Sequence, residues 1–354
     1  MLPDFKTLAI LYNGRSGSYL LSNLLDNSSE ILSCPPDSLH HALHKLHEIL
    51  VINPSQSFNY VADAIEQQFP NLFTHETLAG QIIGVDKAKF KSEFISLCKE
   101  YYAQTDPMDL NSAIDMFFTF IHLAYAKAMG YNLTNKRYIA WQQHIPVSGI
   151  DAKMMSNFLG DLTFVVSVRE PITAIDSHIC HKIKEHKRQG EQPCESFLLL
   201  ECANHYRMSL SLGSIDLPCV AVRFEDLHRN TEATMKSLCS YFGITYSDGM
   251  CQTTCDGEPY YFPTTRGPIT GTNPSIKDRL NTKILSPSDV AILEALLLRV
   301  RDCFGYAVHF SEFARSAQFM NKDTLISNDD QVFQSVLHFH HAGGLPTYPT
   351  LISG

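Results

Sequence analysis

Between Ala9 and Asp26 the chain reads AILYNGRSGSYLLSNLLD. A short apolar run meets Asn13-Gly14-Arg15-Ser16-Gly17-Ser18, and leucines then return at helical spacing. A strand that turns through glycines into a helix aims backbone N–H groups and a helix N-terminus at one spot, which suits an anion. Arg15 adds a cation there, and Ser16 and Ser18 add hydroxyls. A second anion-binding set is Arg169-Glu170-Pro171 with Ser177 eight residues after Arg169. Pro171 suits the first turn of a helix, Ser177 then lies two turns along it, and an arginine fork beside a hydroxyl makes a phosphate clamp. Taken singly, the glycine loop is equally a plain turn and Arg169-Glu170-Pro171 equally a helix-start salt bridge.

The elements that must position these residues follow from periodicity. EILSCPP, ending at Pro36, reads as a short second strand. From Asp37 to about residue 135 the pattern is mainly helical, with no strong strand, and predicts an insertion over the sheet. RYIAW resumes as a strand, and a helix follows near residues 150–159. LTFVVSV (Leu162–Val168) is a continuous apolar, β-branched run fit for a buried parallel strand. Helices at about 171–187 and 196–212, the strand PCVAVRF and a late helix capped at Ser286-Pro287-Ser288 complete the order. This succession predicts an α/β fold, a parallel central sheet flanked by helices with a helical insertion. Residues 1–315 are expected to form one domain, with the insertion at about 37–135 on the acceptor side. Residues 316–354 are expected to form a peripheral tail.

The glycine loop fails the Walker A test, because Ser18 and Tyr19 follow Gly17 where a nucleoside triphosphate needs Lys-[Ser/Thr]. It fails the dinucleotide GxGxxG pattern as well. Gly14-Arg15-Ser16-Gly17-Ser18 instead resembles the 5′-phosphosulfate loop of sulfotransferases that use 3′-phosphoadenosine 5′-phosphosulfate (PAPS). Arg169-Glu170-Pro171 with Ser177 resembles that family's 3′-phosphate motif. VAVRFEDLHRNTEATMKSLCSYFGI is similar to its downstream strand, Tyr/Phe-Glu-Asp-Leu and helix, in which Glu225 and Asp226 read as structural. TTRGPITGTNPSIKDRL resembles its late loop over the adenosine and 3′-phosphate, with Arg266 and Gly267 first and Lys277 and Arg279 behind them. These matches run in order from residue 7 to about 305.

The resemblance implies a P-loop-like sulfotransferase fold and in-line transfer of a sulfuryl group from PAPS to an acceptor hydroxyl. It leaves 3′-phosphoadenosine 5′-phosphate (PAP) and requires no metal. Donor binding falls to Gly14, Arg15, Ser16, Gly17, Ser18, Tyr19, Arg169, Ser177, Arg266 and Gly267, and Arg15 also offsets charge on the leaving phosphate. Tyr19 departs from the Thr/Ser usual at its place. For the proton acceptor, Asp37 holds the position where several branches carry glutamate, while His40 and His41 suit proton abstraction near neutral pH. His144 stands where a Lys-[Thr/Asp]-Pro is common, and reads equally as a buried histidine satisfied by backbone. His40, His44 and His47 share a helical face, but a rim beside the acceptor pocket explains them more simply than a metal site. The arginine-bearing loop is closer to the carbohydrate-, lipid- and protein-modifying branches than to the small-phenol branch, so the expected acceptor is a sugar, glycolipid or natural-product alcohol. Two other readings stay open: a degenerate sulfotransferase fold that only binds, and a P-loop kinase.

Composition narrows the classes. With 44% hydrophobic and 18% charged residues the chain is globular. A net charge of −9 without a compensating basic run argues against nucleic acid as partner. The start MLPDFKTLAILY lacks a signal-peptide pattern, and no apolar run reaches membrane-spanning length. The ten cysteines are scattered and read as reduced thiols of a cytoplasmic protein, with Cys251 and Cys255 the one pair close in sequence.

Overall fold

The computed structural model describes residues 5–11, 16–36, 38–39, 41–52, 57–77, 79–104, 109–143, 149–191, 199, 201–203, 206, 217–262, 268–274, 276, 282–307 and 349–352. Strand β1 (Lys6–Leu11) leads to α1 (Ser18–Leu25), and β2 (Ile31–Ser33) follows. Four helices come next: α2 (Ala42–Ile52), α3 (Phe58–Gln68), α4 (Lys87–Tyr102) and α5 (Leu110–Met129). Between α3 and α4 lies a small antiparallel pair, β3 (His75–Glu76) and β4 (Ile82–Ile83), which the helical pattern of the sequence did not mark. The chain continues through β5 (Tyr138–Gln143), α6 (Gly149–Phe158), β6 (Leu162–Val168), α7 (Pro171–Arg188) and β7 (Cys219–Arg223). Helices α8 (Phe224–Arg229) and α9 (Thr231–Phe242) precede a hairpin of β8 (Thr254–Cys255) and β9 (Glu258–Pro259). Helix α10 (Pro287–Cys303) and strand β10 (Thr350–Ile352) come last.

The central sheet has the order β2-β5-β1-β6-β7-β10, and every pairing is parallel. Alternation along the strands divides the core into two layers. Ala9, Leu11, Trp141, Phe164 and Val166 face the layer that contains α2 to α7 and α10. Leu8, Ile10, Ala140, Val165 and Val222 face the layer with α1 and α9. The helical run ending at Ala128 is a core element: Phe118, Phe120, Ile121 and His122 in α5 have no exposed surface. Burial pushes the His122 imidazole down to about 4, and its Nδ1 pairs with the Phe118 carbonyl at 2.9 Å. Helix α10 begins with a capping box between Ser286 and Asp289.

Two features bear on what the sequence predicted at its edges. Thr350–Ile352, inside the stretch expected to lie peripherally, forms the edge strand β10 against β7. The expected helix at 196–212 falls largely outside the described residues. All nine described cysteines are free thiols, Cys251 and Cys255 included. Among the described residues no helix is long and apolar enough to cross a membrane.

From β1 the chain crosses through α1 toward β2 on one side, and from β6 it crosses through α7 toward β7 on the other. The order therefore reverses between β1 and β6. A parallel α/β sheet opens a ligand crevice at such a point, beyond the carboxyl ends of the strands. Residues 16–17 and 169–170 flank it.

Candidate active site

The residues after β1 are shaped by a close packing contact. Gly17 caps α1 in the left-handed region, at φ 95° and ψ 22°. A Cβ there would stand 2.2 Å from Phe224 Cδ2, so the backbone approach requires glycine twice over. No side chain caps α1 at Gly17, which leaves the start of the helix turned toward the crevice. Ser167, on β6, donates its hydroxyl to the Ser16 carbonyl at 2.7 Å and ties the two loops together. Ser16 is itself 1% exposed, yet its Oγ has no hydrogen-bond partner among the described residues. A buried hydroxyl without a partner is costly. At a helix N-terminus it fits an anionic group. Gly14 and Arg15 lie outside the described residues.

Arg169 leaves the carboxyl end of β6 with its guanidinium over the Phe224 ring, 5.0 Å from the centroid. Phe224 therefore joins the two loops, touching Gly17 and carrying Arg169. Beneath Arg169 the backbone is held by a buried network. Tyr206 donates to the Arg169 carbonyl at 2.6 Å, and the Glu170 N–H donates to Glu225 Oε1 at 2.9 Å. The Tyr306 hydroxyl lies 3.0 Å from the Val168 carbonyl and 2.8 Å from Glu225 Oε2. Glu170 caps α7 by accepting from Thr173 N–H, and its other oxygen pairs with Arg301 Nη1 at 2.6 Å. The helix-start salt bridge is thus made by Glu170, and Glu225 has the structural role expected of it.

Helix α7 carries Ser177, half-buried, beside Asp176, which is buried. The Asp176 carboxylate accepts from the backbone N–H groups of Lys283, Ile284 and Leu285 at 2.9, 3.0 and 3.2 Å. His228 makes an edge-to-face contact with Phe224 and accepts from Asn273 N–H on Nδ1 at 2.9 Å. Burial, with the nearby Arg169 charge, pushes the His228 imidazole down to about 4, so it is neutral at physiological pH. Two buried groups therefore fasten Asn273, within the late loop, and residues 283–285, just after it, to the Arg169 side of the crevice. Arg266, Gly267, Lys277 and Arg279 lie outside the described residues.

Among the residues expected to handle the proton, Asp37, His40 and His144 lie outside the described residues. His41 precedes α2 in the left-handed region at φ 57°, its ring 6.5 Å from that of His44. Among the described residues no group of three or more His, Cys, Asp or Glu is placed to hold a metal ion. Tyr19, the second residue of α1, lines a cavity of about 410 Å³ that reaches to the β3–β4 pair and Tyr260. Nearby, Asp256 sits at the tip of the β8–β9 hairpin and accepts from Tyr125 and Tyr131 hydroxyls at 2.6 and 2.7 Å. Burial raises its carboxyl to about 6 against the two hydrogen bonds.

Reading the sequence did not find Ser167, Phe224, His228, Asp176 or Arg301 as parts of this site. Arg301 had a usable signal, since Glu294 and Arg301 interrupt the apolar stripe Val290, Leu293, Leu297, Val300 of α10. A charge on a buried stripe calls for a partner. Asp176 carried a weaker signal beside Ser177. Ser167 and Phe224 had none, because their roles are close approaches between distant segments.

A sequence model of the sulfotransferase family matches residues 10–248. No curated protein matches the chain by sequence. Among solved structures, the sulfotransferase domain of the Synechococcus PCC 7002 olefin synthase is 14% identical, with 97% of this chain and 96% of that one covered at a TM-score of 0.43. The sulfotransferase domain from the curacin biosynthetic pathway is 15% identical, with 98% and 99% covered and a TM-score of 0.42. A sulfotransferase from Alicyclobacillus acidocaldarius is 11% identical, with 88% and 99% covered and a TM-score of 0.42.

Proposed function

The chain belongs to the sulfotransferase family, and from that premise we propose that it moves a sulfuryl group from PAPS to the hydroxyl of a sugar, glycolipid or natural-product alcohol. The observation that carries the donor assignment is the buried, unpartnered Ser16 Oγ at the start of α1, on a loop stitched by Ser167 to the strand that ends at Arg169. One anion-binding point would serve the 5′ end of the donor and the other its 3′-phosphate.

In this reading Gly14 to Ser18 cradle the 5′-phosphosulfate, and Arg15 offsets the charge that grows on the phosphate as it leaves. Arg169 and Ser177 take the 3′-phosphate, and Arg266 and Gly267 close over the nucleotide. The acceptor oxygen attacks sulfur in line, the sulfur–oxygen bond to the phosphate breaks, and its electron pair stays on the phosphate oxygen. In this reading Arg15 and the helix N-terminus supply the positive charge that Mg²⁺ supplies in a kinase, so it calls for no metal. The proton acceptor comes from the residues around the acceptor, among which Asp37, His40, His41 and His144 are the sequence candidates.

Calorimetric titration with PAP, beside ATP and AMP, on wild type and Arg169→Ala tests the donor site. Micromolar PAP binding is expected, weakened by at least about tenfold in the variant, ~1.4 kcal/mol, and far weaker for ATP. Equal affinity for ATP and PAP, or binding untouched by Arg169→Ala, would reject it. PAP binding without sulfuryl transfer to any acceptor would leave a binding module on this fold.

A further inference from the structure

Resting on the sulfotransferase reading, we infer that the cavity between α1 and the β3–β4 pair is the acceptor site, that it takes an uncharged glycoside with an apolar aglycone, and that His75 receives the acceptor's proton. Its volume of about 410 Å³ lies within the roughly 300–1,000 Å³ usual for small-molecule sites. Its position links it to the donor. Tyr19 forms one wall and lies two residues beyond Gly17, so an acceptor against Tyr19 sits next to the loop that holds the sulfuryl group. Asn71, Thr74, His75 and Glu76 form the facing wall, and Tyr260 closes it from the segment after β9.

The walls are fixed to one another. Gln81 Nε2 donates to the Pro259 carbonyl at 3.0 Å, and Tyr261 N–H donates back to Gln81 Oε1 at 3.3 Å. Thr77 N–H bonds the Gln81 carbonyl at 2.7 Å, and Val85 N–H bonds the Leu72 carbonyl at 3.1 Å. Gly84, at φ 142°, lets the chain pass so close to Phe73 that a Cβ would lie 2.5 Å from its carbonyl oxygen. The cavity is therefore a preformed shape, and not a gap between loose loops.

Its lining defines the ligand. The partly exposed Tyr19 ring offers a flat face for the C–H surface of a sugar ring, while an amide, a hydroxyl, an imidazole and a carboxylate offer both donors and acceptors for its hydroxyls. Among the described residues Glu76 is the only charged one in the lining, and it opposes an anionic acceptor through like-charge repulsion. Ile82, 65% exposed, is the most exposed large hydrophobic side chain among the described residues and belongs to the same lining. An apolar aglycone would cover it. His75 is buried and, among the described residues, is the one imidazole in that lining. It accepts the proton of the attacking hydroxyl as the oxygen bonds to sulfur and PAP departs with the electron pair of the broken bond.

The test uses the full chain, with 4-nitrophenyl β-D-glucoside and 4-nitrophenyl β-D-glucuronide as probes, followed by saturation-transfer NMR without nucleotide, and a parallel PAP titration. Wild type is expected to bind the glucoside and to reject the glucuronide, and Thr74→Trp, at an exposed position of the wall, to lose the glucoside while PAP affinity is unchanged. A wild type that binds PAP but not the glucoside, or a Thr74→Trp variant that binds it normally, overturns the acceptor site and leaves the donor reading standing. Glucoside binding lost in Thr74→Trp, with no PAP binding to wild type, upholds the cavity and removes the donor reading. With labelled PAPS, wild type should sulfate the glucoside; no transfer overturns the acceptor class. His75→Gln should lower kcat by about 100-fold or more, leave KM within about threefold, and abolish the acid limb of the pH–rate profile. Retention of that limb removes His75 from the chemistry.

Discussion

Arg301 Nη1 meets Glu170 Oε1 at 2.6 Å across 131 residues of sequence, with both side chains buried. Glu170 also caps α7 and adjoins Arg169, so through that neighbour the pair sets the position of the arginine proposed to hold the 3′-phosphate. Arg301→Met leaves a buried carboxylate without its cation and is expected to cost about 3–5 kcal/mol of stability. The double variant Glu170→Gln, Arg301→Met should recover only part of that loss, because the buried Glu294, 3.6 Å from Arg301 Nη2, still loses its cation. Urea unfolding of the four proteins in the cycle measures it, and a single variant as stable as wild type would show that the charge is compensated elsewhere.

Gly17 is constrained by both its dihedral angles and its neighbour. Gly17→Ala is expected to destabilise by about 1–3 kcal/mol and to weaken PAP binding by at least about tenfold, ~1.4 kcal/mol, because Phe224 must move and Arg169 rides on it. Adding Phe224→Leu should relieve the clash and restore part of the stability, but not the nucleotide affinity. Calorimetry on the two proteins separates these effects, since affinity recovering together with stability would mean that Phe224 does not position Arg169.

Asp176 gathers three backbone N–H groups that precede α10. Asp176→Asn keeps the shape but replaces a charged acceptor by a neutral one with a single acceptor oxygen, at an expected cost of about 1–3 kcal/mol. Amide hydrogen exchange at Lys283, Ile284 and Leu285 should accelerate, while exchange in β1 and β6 stays as in wild type. Unchanged rates at those three amides would refute the anchoring role.

Two buried imidazoles and the half-buried Asp256 carboxyl give stability a readable pH dependence. His122 and His228 titrate at about 4 in the folded chain against 6.5 when free, so between these values the unfolded chain binds more protons. Their contribution rises as pH rises from about 4 to 6.5. Asp256 titrates at about 6 against 3.8, so from 3.8 to 6 the folded chain binds more protons, and its contribution falls as pH rises. The carboxyl thus offsets one imidazole. Asp256→Asn removes the offset, and its stability should climb with pH between 4 and 6 more steeply than that of wild type, by up to ~1.4 kcal/mol per pH unit. Unfolding midpoints at four pH values check this; parallel slopes for the two proteins would exclude Asp256 as the titrating group.

How much of this was legible in the sequence depended on how local the determining physics is. LTFVVSV, the turn at Gly17 and the capped helix after Ser286 each write their cause into a few neighbouring residues, and each forms as read. The parallel α/β sheet follows from the alternation of elements, whereas the order of its strands, with the reversal between β1 and β6, does not. The tie from Ser167 to Ser16, the Phe224 ring beneath Arg169 and the Glu170–Arg301 pair are encounters between segments far apart in the chain, and nothing in the local pattern requires them. The acceptor cavity was hidden for a related reason. His75 and Glu76 lie in a two-residue strand too short to show a period, within a stretch dominated by helices.

Strand β10 is only three residues long, yet it changes what β7 exposes. Without Thr350–Ile352 the row of peptide groups along β7 would face open water, a template for another chain. That protection comes late, because proteins are made from the amino end and β10 follows β7 by more than a hundred residues. While the nascent chain is between those points, its sheet has a bare border beside its most apolar strands. Between the synthesis of residue 223 and that of residue 352, that border of β7 is open to pairing with a strand of another chain.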